Sequence, residues 1–135
     1  MSGRTFVRSA WLPAACWVCV IFGMSSISGL SAPDIGLPMV DKFAHLGEYG
    51  ILGFLFARAA WPEAGGLRAM RGGAVLGLLL GSVDEMYQGH TAGREVSALD
   101  ATADLTGALL GSLGFWLSTR WRAARAPGGA ARRTP

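Results

Sequence analysis

The chain has 135 residues, enough for one domain. Apolar residues make up 51% of it and charged residues 16%, where a soluble domain carries about 25% charged residues; the sequence is short of polar surface for a water-soluble fold. The net charge of +3 is built on arginines gathered in three clusters, which suits a membrane orientation signal better than a nucleic-acid partner.

In chain order, Arg4 and Arg8 come first, followed by an uncharged run from Ala10 to Pro33. That run is long enough to cross about 30 Å of hydrocarbon and predicts a first helix over 9–29. A signal peptide cut after "LSA" is the alternative, although the apolar stretch is longer than most signal cores. Cys16 and Cys19 have C-x-x-C spacing, but inside an apolar run they read as inert packing residues, not a redox pair.

After "LSAPDIGLPMVD", a second helix is expected over 42–60. Asp41, His45 and Glu48 fall at i, i+4 and i+7 on one face of it, with Lys42 beside them; Asp41 could instead cap the helix. The segment "WPEAGGLRAM" reads as a connection to a third helix over 71–89. Gly73, Gly77 and Gly81 recur there every four residues, a spacing that lets helices approach closely in lipid. Its end carries Asp84, Glu85 and Gln88. Asp84 and Glu85 point about 100° apart, so at most one is expected to face the bundle centre.

The loop "HTAGREVS" brings His90, read as a solvated loop residue, and Arg94 before a fourth helix over 98–118. "SALD" at 97–100 fits a capping box, with Ser97 as N-cap. Asp100 and Asp104 share one face, and Ala103, Gly107 and Gly111 form a second small-residue stripe. The basic tail over 120–135 is expected to be disordered.

With both ends inside the cell, ten of the twelve basic residues face the cytoplasm and two, Lys42 and Arg94, face outward. Trp11, Trp61, Trp116 and Trp121 then fall near the inner interface, and Tyr49 and Tyr87 read as outer-interface anchors. Asp34, Asp41, Glu48, Asp84, Glu85, Glu95, Asp100 and Asp104 all lie on the outer side, and only Glu63 inside. A lone charge below the headgroups costs a few kcal/mol on insertion scales, so these residues must face the bundle and find partners. The expectation is an all-α, four-helix transmembrane bundle over 1–119, both termini cytoplasmic, with a tail over 120–135.

"DKFAHLGEYGILGF", "DEMYQ" and "GREVSALDATADLTGALLG" together resemble the VanZ-like family of small bacterial integral membrane proteins. The match runs in order over residues 41–111, about half the chain. The family pattern would fall on Asp41, Lys42, His45, Glu85, Gln88, Arg94, Asp100 and Asp104, the last standing where the family usually has Asn. The resemblance implies a multi-pass protein of the bacterial inner (cytoplasmic) membrane with an envelope role, the founding member being associated with teicoplanin resistance. It implies no settled biochemical activity.

The residues suggest an outward pocket of Lys42, His45, Glu48, Glu85, Gln88, Arg94, Asp100 and Asp104. Arg94 could hold a phosphate or carboxylate through both arms of its guanidinium. The expected partners are the bilayer and an anionic headgroup of an envelope lipid or its precursor, with no nucleic acid. No Ser-His-Asp order, HExxH or phosphate-cradling loop appears. One histidine near carboxylates is weak evidence for zinc, so no metal and no cofactor are assigned. Two other readings stay open: an enzyme acting on such a headgroup, and a structural polar layer in a protein that binds partners.

Overall fold

In a computed structural model, residues 3–28, 39–93 and 96–126 are described, with residues 3–9 as backbone only. They form four helices and, among the described residues, no strand: α1 (Gly3–Ser25), α2 (Val40–Ala64), α3 (Gly66–Gln88) and α4 (Ala98–Arg125). The all-α, four-helix expectation holds.

Their contacts give an up-down-up-down bundle. The Trp17 indole donates to the Glu48 carbonyl and Trp11 packs on Phe56, so α1 runs antiparallel to α2. Gly73 lies against Ala57 and Gly53, and Gly81 against Tyr49, which makes α2 and α3 antiparallel. Gly107 meets Leu46 and Gly50 while Ser112 meets Gly53, so α2 and α4 are parallel.

Helix ends differ from expectation in three places. α1 begins at Gly3 and ends at Ser25, six and four residues earlier than the expected 9–29. α2 continues through Pro62 to Ala64, and Gly65 alone separates it from α3. The proline lies in the last turn, where only one upstream carbonyl loses a donor. The reversal falls to Gly65 at φ 62°, a conformation glycine adopts without steric cost, and its N–H caps the Trp61 carbonyl. The expected "WPEAGGLRAM" loop is therefore mostly helix. At the other end α4 runs seven residues past 118, to Arg125, so the start of the expected tail is helical; Arg120 and Arg125 lie over Trp116 and Trp121. Residues 127–135 lie outside the described residues.

Packing has two styles. α1 seats on α2 and α3 through large side chains, with Ile21, Tyr49, Leu52 and Phe56 buried and Trp11, Trp17 and Leu80 around them. α2 and α4 meet backbone to backbone: a Cβ on Gly107 would collide with the Leu46 carbonyl, and one on Gly111 with the Gly50 carbonyl. Gly107 and Gly111 of the α4 small-residue stripe form this seam, and the α3 stripe of Gly73, Gly77 and Gly81 packs on α4 and α2.

The outside is apolar. Leu12, Val20, Phe43, Ile51, Val75, Leu79, Leu110 and Leu117 are all exposed. Cys16 and Cys19 are free and exposed on α1, so they do not pack inside the bundle as expected. Even so, among the described residues no helix is long and apolar enough to cross a membrane.

Candidate functional site

The topology carries the end of α1, the start of α2, the end of α3 and the start of α4 to one pole of the bundle, where the carboxylates collect. Arg58, Arg68, Arg71, Arg120, Arg122 and Arg125 lie on the opposite halves of α2, α3 and α4. At the carboxylate pole His45, Asp84, Glu85, Gln88, Asp100 and Asp104 are all buried.

His45 and Asp104 form the centre. The imidazole Nδ1 and Asp104 Oδ1 are 2.9 Å apart, joining α2 to α4. Glu85 reaches in from α3, and one ligand-type atom each of His45, Glu85 and Asp104 lies within 4.8 Å of the others. Gly81 makes the approach possible: a Cβ there would sit 3.1 Å from Asp104 Oδ2.

Lys42 forms the rim. Its ammonium donates to Asp41 Oδ2 at 2.7 Å and also pairs with Asp100. Asp41 precedes the segment expected to cross (42–60), and the Lys42 hydrogen bond holds its carboxyl below the usual carboxylate range. It does not cap α2: the N-cap position is Met39, with a left-handed backbone and no side-chain cap.

Asp100 also departs from its expected role. Ser97 Oγ accepts from the Asp100 N–H at 3.2 Å, one half of a capping box. The other half would have Asp100 reach back to the Ser97 N–H. Glu85 Oε2 takes that N–H instead, at 2.8 Å, from a different helix. Asp100 is thereby released to pair with Lys42.

Two residues outside the expected site belong to it. Asp84 is 1% exposed and Glu85 4%, so both face inward, contrary to expectation. The end of α3 is covered on two sides. Asp84 takes the Gln88 amide at 2.9 Å, and that amide also donates to Ser25 Oγ on α1 at 3.3 Å. Glu85 faces α4. Tyr49, expected as an interface anchor, is 0% exposed. Its register was readable, since His45 and Tyr49 extend the stripe from Asp41 at i+4 and i+8. Tyr87 does stay exposed, its ring tilted against Phe22 and its hydroxyl sharing a hydrogen bond with Ser26. His90 is exposed in the loop as expected. Glu48 is half-buried, its backbone carbonyl bonded to Trp17 of α1, and lies within electrostatic reach of His45. Arg94, Glu95 and Asp34 lie outside the described residues.

The pole is not fully satisfied. Glu85 Oε1 and Asp104 Oδ2 are buried with no hydrogen-bond partner, and the Tyr49 hydroxyl lies against the Asp84 carboxylate. Each unpartnered oxygen costs about 1–3 kcal/mol, more when charged. With Lys42 the only described lysine or arginine ion-paired there, the cluster has excess negative charge and can accept a cation or share protons.

No family model matches the chain, and neither a curated protein nor a solved structure matches it.

Proposed function

We propose that the chain is a multi-pass inner-membrane protein of VanZ-like type whose carboxylate pole opens away from the cytoplasm and binds the polar headgroup of an envelope lipid or its precursor. The observation that carries the reading is an inverted distribution of polarity: the buried set is His45, Asp84, Glu85, Gln88, Asp100 and Asp104, while large apolar side chains face outward around the bundle. Water favours the opposite arrangement; hydrocarbon favours this one. α2, α3 and α4 have 25, 23 and 28 residues. At 1.5 Å per residue they are roughly 34–42 Å long, more than the 30 Å of a bilayer core. Their shortfall is in apolarity, and the exposed arginines Arg58, Arg68 and Arg71 contribute to it along with the inward polar groups and the seam glycines.

The arginine-bearing pole supports a cytoplasmic assignment for both ends. Headgroup binding is supported by the position of Lys42 at the rim of a polar recess, with Arg94 in the adjoining loop by sequence. A second reading, a structural polar layer, is favoured by the paired contacts His45–Asp104 and Gln88–Asp84. The unpartnered buried oxygens weigh against it, because a layer built for stability would satisfy them. An enzyme acting on a headgroup has no such observation in its favour.

The membrane assignment is tested by washing membranes with alkaline carbonate: the protein should stay in the pellet, and release would overturn it. Headgroup binding is tested by native mass spectrometry from gentle detergent. An anionic lipid should accompany the wild type and be lost from Lys42→Met. Bare protein in both cases would overturn it.

A further inference from the structure

We infer that His45, Glu85 and Asp104 form a binding site for one divalent transition-metal ion, Zn²⁺ or Mn²⁺. Three helices converge to supply one imidazole and two carboxylates, with a ligand-type atom of each within 4.8 Å of the others. That donor set suits first-row ions, since imidazole nitrogen discriminates against Mg²⁺ and Ca²⁺, which prefer all-oxygen sites.

How the carboxylates are held is an independent indication. Each spends one oxygen on its own positioning and leaves the other buried without a partner. Glu85 Oε2 is fixed by the Ser97 N–H at 2.8 Å, and Glu85 Oε1 has no partner. Asp104 Oδ1 meets His45 Nδ1 at 2.9 Å, and Asp104 Oδ2 has none. Asp104 Oδ2 lies over Gly81, one turn of α3 before Glu85, and a carboxylate oxygen of Asp104 lies within 4.8 Å of one of Glu85. Both side chains are more than nine-tenths buried, at 4% and 1% exposure. A hydrogen-bond layer would consume these oxygens. A metal site needs them anchored on one side and open on the other.

The His45–Asp104 contact has a matching role. At 2.9 Å, His45 Nδ1 and Asp104 Oδ1 stand close to the separation of two ligands on one ion, which would replace the proton between them; a carboxylate bonded to Nδ1 does not also reach an ion at Nε2 on the far side of the ring.

The inference goes beyond headgroup binding and does not require it. If that reading holds, the ion would add positive charge beside the Lys42 rim where the headgroup binds.

The test uses full-length protein in detergent, stripped with EDTA and exposed to Zn²⁺ or Mn²⁺ alone, with no phospholipid added. Elemental analysis should find about one ion per chain. Glu85→Gln and Asp104→Asn, which keep side-chain shape, should each weaken binding at least tenfold at unchanged helix content. Pulsed electron paramagnetic resonance of the wild type loaded with Mn²⁺ needs no variant and should detect a histidine nitrogen on the ion. No retained metal, binding unaffected by both variants, or Mn²⁺ with oxygen ligands only would each overturn the site. Metal bound in a protein that never retains a lipid keeps this inference and removes the headgroup reading. A lipid retained by protein that takes up no metal does the reverse.

Discussion

The waist of the bundle and its carboxylate pole are joined by the same helices yet solve opposite problems. At the waist α2 and α4 touch through backbone, at Gly107 on Leu46 and Gly50 and at Gly111 on Gly50 and Phe54, with Ser112 closing one carbonyl. Space is the scarce quantity there, and almost every polar group has its partner. At the pole the same helices bring ionisable side chains together, and oxygens of Glu85 and Asp104 remain buried without partners. The waist is built for close approach, which lipid does not supply by itself because it offers no hydrophobic drive between helices. The pole gives up part of that stability to keep polar atoms available.

The contrast can be broken most severely at the waist. Gly107→Leu forces a side chain into backbone that has no rotamer to yield, so the cost should exceed about 3 kcal/mol, the upper range for overpacking. Folded protein should disappear from size-exclusion traces of a fluorescent fusion, and a monodisperse peak would show that the seam can open. Next comes Lys42→Met, which leaves Asp100 without its cation. Breaking a buried pair costs about 3–5 kcal/mol, and partial exposure of both groups reduces that to about 2. Lys42→Met with Asp100→Asn should recover most of the lost melting temperature; no recovery would mean that the lysine acts elsewhere.

Smaller effects sharpen the distinction. Ser112→Ala removes a buried bond to the Gly53 carbonyl at 3.0 Å and should cost about 1 kcal/mol, read as a lower thermal midpoint. Tyr49→Phe does the opposite kind of thing, deleting a buried hydroxyl whose contact with Asp84 falls short of a well-formed hydrogen bond. It should leave the midpoint unchanged or slightly raised, within about 1 kcal/mol. A large loss would mean that the hydroxyl holds the pole together. Smallest of all, Gly47→Ala meets nothing within 4 Å and should gain up to about 1 kcal/mol from helix propensity. Together with Gly107→Leu it separates glycines that are needed for contact from those that are not.

The stripe at Asp41, His45 and Glu48 and the pair Asp100 and Asp104 were legible, because helical periodicity assigns a face whatever the neighbours do. Asp84 and Tyr49 were misjudged for one reason: a residue's face says nothing about how many helices cover it. The end of α3 is covered on two sides, so Asp84 and Glu85, about 100° apart, are both enclosed. The capping box was likewise half right. Its local geometry was visible in "SALD", whereas the substitution of Glu85 for Asp100 at the Ser97 N–H is a contact between helices.

By itself the sequence determined four helices, their glycine seams and the segregation of carboxylates from arginines, since all three follow from local spacing and from the alternation of chain direction. Only the tertiary structure decided that His45, Glu85 and Asp104 meet, that Asp100 turns to Lys42, and that particular oxygens are left over. Those outcomes depend on crossing distances that Gly81, Gly107 and Gly111 set jointly, and no short-range pattern encodes the sum.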